Sequence, residues 1–108
     1  MRRFEKELCS ITGADHAIAV CNSTIALRLA LHLVGLITDD EVLVPPLSYV
    51  AKVNCLTDLG AVPDFVDVDG SDLGLSANAQ TDQLKKVAER RDGHLFNRKT
   101  GRHISLQC

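Results

Sequence analysis

The chain has 108 residues, 45% of them hydrophobic, which suits a single domain able to bury a core. A formal net charge of −2 disfavours a general nucleic-acid role, and aromatic residues, at 4%, are too sparse for base stacking. No apolar run is long enough to cross a membrane.

Residues Arg2 to Thr12 read as an amphipathic helix, with Phe4, Leu8 and Ile11 at helical spacing and Gly13 as a stop. The basic N-terminus leads into the charged stretch Phe4 to Ser10 rather than an apolar segment, so no signal peptide is predicted. Ala17 to Cys21 reads as a buried strand. Three small polar residues follow, Asn22, Ser23 and Thr24, and an apolar helix then runs from Thr24 to Val34, interrupted by Arg28 and His32, with Gly35 as its cap. A helix apolar on nearly every face is usually covered on both sides.

The strand–polar turn–helix pattern is informative because the first amides of a helix lack intrahelical partners and carry the positive end of its dipole. An anion, most often a phosphate, fits there. Ser and Thr also favour such positions as plain caps, and for the turn alone that reading is the stronger.

Glu41 to Val44 is a second strand, ended by Pro45 and Pro46. Ser48 to Leu59 is predicted helical, with Ser48 as its cap and Gly60 as its stop. Pro63 to Val68 is a third strand, and Asp67 and Asp69 at its end read as turn chemistry rather than metal ligands. Ser76 to Arg90 is predicted as a polar amphipathic helix, Asp92-Gly93 as a turn, and His94 to Asn97 with Arg102 to Leu106 as a hairpin within residues 93–106. Alternating strands and helices imply an α/β fold with a mainly parallel sheet and flanking helices. Ligands in such folds bind beyond the C-terminal strand ends, where Asn22-Ser23-Thr24 and the Pro45 to Val50 loop with Tyr49 would lie. A flat ring there could stack on a planar cofactor, although a lone Tyr more often packs at a surface.

Cys9, Cys21, Cys55 and Cys108 are irregularly spaced with no C-x-x-C, predicting a reduced, cytoplasmic protein. Cys21 and Cys55 lie in apolar runs and read as small hydrophobes. The four histidines show no ligand spacing, so no metal site is predicted. Lys85, Lys86, Arg90, Arg91, Arg98, Lys99 and Arg102 crowd the C-terminal third; a surface for RNA or a sugar diphosphate is one reading, and a solvated helix face and hairpin is preferred.

Three blocks resemble a known family in order and spacing. VCNSTIALRLAL is similar to S-G-T-A-A-L-x-L-A-L, DDEVLVPPLSYVAKVNC to G-D-E-V-I-V-P-x-x-T-F-V-A-T-x-N-A, and GAVPDFVDVD to G-A-x-P-V-F-V-D-V-D, of the DegT/StrS sugar-nucleotide aminotransferases. GHLFNRKTGRHI is similar to a hairpin of members acting on UDP-sugars in nonulosonic-acid pathways such as that of legionaminic acid.

The resemblance implies part of the large domain of the type I aminotransferase fold, pyridoxal 5′-phosphate (PLP) as cofactor, and an obligate homodimer. It implies amino transfer, usually from glutamate, to a keto-sugar nucleotide in amino-sugar or surface-polysaccharide synthesis. By matching position, Ser23 and Thr24 would hold the PLP phosphate and Tyr49 would stack on its ring. Two positions depart. Ser23 replaces a glycine, which matters if that backbone needs positive φ. Lys52 replaces a threonine and reads as a solvated helix residue, not the cofactor-bearing lysine.

The segments carrying the family's covalent lysine and its ring-nitrogen carboxylate have no match here. The chain is therefore expected to be an inactive N-terminal fragment, with weak or absent PLP binding. The same fold separates its first strand from the second and third, so Ala17 to Cys21 would lack neighbours and the chain would be marginally folded. The alternative is a non-catalytic module that docks on a full-length or complementing chain. A small Rossmann domain is disfavoured, since no G-x-G-x-x-G follows a strand.

Overall fold

The computed structural model describes residues 2–107 and builds them around a three-stranded parallel sheet. The elements run α1 (Arg2–Thr12), α2 (Ser23–Leu33), β1 (Glu41–Val44), α3 (Ala51–Asp58), β2 (Val62–Phe65), α4 (Ala77–Val87), β3 (Ala88–Arg91), β4 (His94–Asn97) and β5 (Ile104–Gln107). The sheet order is β2-β1-β5, and β3 and β4 form a separate antiparallel pair. The expected α/β class with a parallel sheet and flanking helices is what forms.

The centre of the sheet is β1, buried at all four positions. Successive side chains point to opposite faces. Val42 and Val44 pack with Leu31 of α2, Leu36, and Cys55 and Leu56 of α3. Leu43 packs on the other side with Val66, Val87 and Ile104, and with the hairpin through Ala88 and Leu95. One four-residue strand thus joins both halves of the core.

Two helices hand the chain to strands through the same device. After α2, the Gly35 amide donates to the His32 carbonyl at 3.1 Å and the Leu36 amide to that of Leu31 at 3.2 Å. After α3, the Gly60 amide donates to Thr57 at 3.0 Å and the Ala61 amide to Leu56 at 2.9 Å. These are Schellman ends, each with its apolar clasp buried. At Gly60, φ is +76° and an added Cβ would stand 2.9 Å from Thr38 Cγ2, so the sequence signal for a stop has a double steric basis.

Four expectations differ from the fold. Ala17 to Cys21 forms no strand, because no described strand lies beside it to satisfy its backbone; Ile18 is 71% exposed and Cys21 is exposed rather than buried. The last predicted helix stops at Val87 instead of Arg90. Residues 88–91 pair instead with 94–97, Ala88 opposite Asn97 and Arg91 opposite His94, around Asp92 and Gly93, both at positive φ as a two-residue hairpin turn requires. The hairpin is therefore 88–97. The predicted pairing of 94–97 with 102–106 survives only at its start, in the Asn97 amide–Arg102 carbonyl bond at 2.8 Å and the antiparallel Phe96–His103 bridge, and from Ile104 the chain leaves to lie parallel to β1.

The fourth difference concerns cover. α1 has the predicted bounds but buries no residue, with Phe4 59% and Ile11 79% exposed. α2 buries only Leu31, while Ile25, Leu29 and Leu33 on its outer side are exposed. Asp67 and Asp69 behave as turn residues as expected. The Asp67 carboxylate accepts the Val68 amide at 2.8 Å, and that of Asp69 accepts the Ser71 amide at 2.9 Å and hydroxyl at 2.6 Å.

Candidate cofactor-binding site

Asn22 opens the site. Its backbone is extended (φ −163°, ψ 170°), and its Oδ1 accepts the Ile25 amide at 2.9 Å. Its carbonyl accepts the Ala26 amide at 3.1 Å. The cap is therefore Asn22, and the helix begins at Ser23, one residue earlier than the sequence pattern suggested. The amides of Ser23 and Thr24 have no protein partner among the described residues, and both residues are exposed. Those two amides, the Thr24 hydroxyl and the positive end of an eleven-residue helix form a ready anion cradle.

Among the described residues, positive φ outside glycine is confined to Asp39, Leu73 and Asp92. Ser23 thus occupies an ordinary helical position, and replacing the family's glycine with serine introduces no backbone strain. The Asn22→Ala variant is expected to lose about 1 kcal/mol of stability, the usual value of such a cap. Thermal denaturation, with amide exchange at Ile25, checks it.

The second loop follows β1. Pro45 is buried, while residues 46–50 are exposed and Tyr49 is 77% exposed. The Ser48 amide bonds the Pro46 carbonyl at 3.2 Å, a tight turn that delays the next helix to Ala51. Ser48 consequently does not cap α3, and the cap residue Val50 makes no side-chain cap bond. The Tyr49 carbonyl accepts the Lys52 amide at 3.1 Å, while its ring meets no other aromatic ring among the described residues.

α3 ties the two loops together. The Cys55 thiol, 1% exposed, donates to the Thr24 carbonyl at 3.4 Å. A helix that returns directly into β1 runs antiparallel to it, so the α2 N-terminus lies at the C-terminal edge of the sheet, the same edge as the Tyr49 loop. Sequence reasoning missed both Asn22 as the cap and Cys55 as the tether. Asn22 carries a recognisable signal, since Asn ranks with Asp and Ser at N-caps. Cys55 carries none beyond its place in an apolar run. Lys52 departs from the solvated reading: it is half-buried and helps line a small apolar pocket with Leu27, Leu31, Val44 and Leu56.

An anion cradle and an exposed ring at one sheet edge agree with the family suggested by the sequence. The DegT/DnrJ/EryC1/StrS aminotransferase family matches residues 1–92. The chain belongs to this family. It is 38% identical over 84 residues to a GDP-perosamine synthase of Vibrio cholerae, covering 78% of this chain and 23% of that protein. A family aminotransferase of Brucella abortus superposes with a TM-score of 0.77 at 25% identity, over 98% of this chain and 26% of its own. A Streptococcus pneumoniae protein assigned as a sugar aminotransferase, solved in its PLP form, gives a TM-score of 0.69 at 26% identity, over 74% of this chain and 20% of that one. The chain thus spans about a fifth to a quarter of the relatives it matches. The family is PLP-dependent and its members include sugar aminotransferases. Among the described residues no helix is long and apolar enough to cross a membrane.

Proposed function

We propose that this chain contributes the phosphate end and one ring face of the PLP site in a cytoplasmic, homodimeric sugar-nucleotide aminotransferase. In this reading residues 1–108 are the N-terminal part of the large domain, the donor is an amino acid, glutamate in the first instance, and the acceptor is a keto-sugar nucleotide. Ser23 and Thr24 donate their amides to the cofactor phosphate, the Thr24 hydroxyl adds a third donor, and the Tyr49 ring covers the pyridine. Cys55 holds the first helical turn against α3, so that the donors keep their direction. PLP supplies the electron sink that amino transfer needs. Residues 1–108 taken by themselves carry no amino transfer in this reading, because a covalent lysine and a ring-nitrogen carboxylate must complete the site.

The observation that carries the reading is the pair of unpartnered amides at Ser23 and Thr24, on the same sheet edge as Tyr49. The test is a graft. The matched 84 residues replace the corresponding segment of the Vibrio cholerae relative. The chimaera is expected to retain PLP and amino transfer. Thr24→Ala is expected to weaken PLP binding about tenfold or more, the worth of a hydrogen bond to a charged group. Tyr49→Ala is expected to weaken it several-fold, as for a lost aromatic stack of about 0.5–1.5 kcal/mol. A folded chimaera that lacks PLP, or that holds it undiminished by both substitutions, contradicts the reading.

The exposed apolar faces of α1 and α2 favour one second reading, a non-catalytic module that docks on a full-length or complementing chain. Copurification with such a chain, without cofactor in the complex, would select it.

A further inference from the structure

Charge is segregated along the molecule. Residues 77–108 hold seven of the twelve Lys and Arg residues but three of the fourteen carboxylates. Folding concentrates this further. The Arg98 amide donates to the Val87 carbonyl at 2.7 Å, which brings the Arg98-Lys99 backbone to the C-terminal end of α4, whose last turn carries Lys85 and Lys86. All four are exposed, and none has a carboxylate within ion-pair distance among the described residues. Arg91 differs in pairing directly with Glu89 at 3.0 Å, and it holds that carboxyl below its usual range, with a smaller longer-range contribution from Arg98. Two cations at a helix C-terminus are explained by the helix dipole. Arg98 and Lys99, which the hairpin brings back to the same place, are not.

The complementary surface lies at the other end of α4. The Ser76 amide donates to the Asp67 carbonyl at 3.1 Å, fixing the loop of Asp67, Asp69 and Asp72 at the helix start. The loop is closed by its own backbone, with the Asp69 amide on the Gly74 carbonyl at 2.9 Å and a Val68–Leu75 bridge. The Asp72 carboxylate accepts the Gly74 amide at 2.8 Å, and the Ser71 hydroxyl and amide keep the Asp69 carboxyl below the ordinary carboxylate range. These three carboxylates form no ion pair among the described residues. Eleven residues of helix separate the two clusters by about 16 Å, too far for them to meet within one molecule.

We propose that the Lys85, Lys86, Arg98 and Lys99 cluster docks head-to-tail on the Asp67–Asp72 loop of a second copy of this chain. The contact is heterologous, so each molecule keeps one free cluster of each sign and association grows with concentration. A nucleic acid is the less suitable partner. Phe96, the aromatic residue of the hairpin, is packed on His103 at 5.4 Å between ring centroids, and the chain as a whole is acidic.

Sedimentation velocity of the full chain at about 20 mM and about 500 mM ionic strength tests this, since exposed charge pairs are screened over that range. Concentration-dependent association at low salt, lost at high salt, is expected. Neutralising Lys85, Lys86, Arg98 and Lys99 to Gln, or Asp67 and Asp72 to Asn, should each weaken it at least tenfold. Asn retains the Oδ1 that accepts the loop amides, so the loop survives. An equimolar mixture of the two variants should form 1:1 dimers and nothing larger, since each keeps one working cluster. If apolar association masks sedimentation, zero-length carbodiimide coupling of mixed unlabelled and 15N-labelled chains should join Lys85, Lys86 or Lys99 to Asp67 or Asp72 between differently labelled molecules. A monomer at low salt overturns the proposal. So do association unaffected by either variant, the absence of those mixed-label links, and release of bound nucleic acid by the basic-cluster variant.

Discussion

Leu43→Ala is expected to destabilise the chain by about 2–5 kcal/mol, the range for truncating a buried leucine. Leu43 has no exposed surface and sits in the central strand against Val66, Val87 and Ile104. Among the described residues the largest fully buried side chains besides Leu43 are Leu56, Val42, Val44 and Cys55. The hairpin packs on the same cluster, so the cavity would loosen β3 and β4 along with the sheet. Ordinary domains have only about 5–15 kcal/mol of stability in all. The expected result is therefore a melting temperature lower by more than about 10 °C, or no cooperative transition. Calorimetry of the wild type and variant checks it. A shift under about 2 °C would mean that the two halves of the core are not joined through β1.

The second large effect is expected at Glu41, a carboxylate only 3% exposed. Its Oε2 accepts the Asn97 side-chain amide at 2.8 Å and its Oε1 accepts the Thr100 hydroxyl at 2.6 Å. Asn97 is itself buried, and its Oδ1 accepts the Lys99 amide at 2.9 Å, so one carboxylate holds the turn that returns the chain to β5. Beside it, His103 Nδ1 lies 3.1 Å from the buried Asp40 carboxylate, which also accepts the Ile37 amide at 3.2 Å. Glu41→Ala removes the acceptor and strands the buried Asn97 amide, while the exposed Thr100 hydroxyl turns to water, at an expected loss of about 2–3 kcal/mol. Glu41→Gln keeps one acceptor and should lose about 1 kcal/mol. In a double-mutant cycle, Asn97→Ala should add little once Glu41 is Ala. Additive losses would show that the carboxylate and the amide are energetically independent.

These two sites differ in how far the sequence announces them. The apolar run at 42–44, bounded by Pro45 and Pro46, reads as a strand because nothing else buries such a run so economically. The partnership of Glu41 with residues 56 and 59 positions later has no local signal. A charged residue at a strand start ordinarily reads as solvated, and only the fold brings Asn97 and Thr100 to it.

The same limit explains the missed hairpin. Ala88 to Arg91 suits a polar helix as well as an edge strand, and its state is decided by pairing with 94–97 across Asp92-Gly93. Local chemistry was sufficient where a residue's role is local. Gly35 and Gly60 ended their helices as read, and Asp67 and Asp69 made turn bonds. At the candidate site, Ser23, Thr24 and Tyr49 stand on the expected edge, but the residues that set their geometry, Asn22 and Cys55, act through contacts that spacing alone does not encode. Ala17 to Cys21 shows the converse: its strand pattern is clear, and it remains unpaired because a strand needs a neighbour.

The most direct measurement is a 15N heteronuclear titration of the chain with 4′-deoxypyridoxine 5′-phosphate, which lacks the aldehyde and so cannot react with surface lysines. The cofactor-site reading predicts binding weaker than about 1 mM, since a helix terminus contributes only about 0.3–2 kcal/mol. Shift changes should be confined to the Ser23 and Thr24 amides, their immediate neighbours and Tyr49, and Thr24→Ala should diminish them. No change at Ser23 and Thr24 with ligand at about 50–100 mM, or changes centred on the Lys85–Lys99 cluster, would contradict the assignment of the α2 N-terminus as the cofactor-phosphate site.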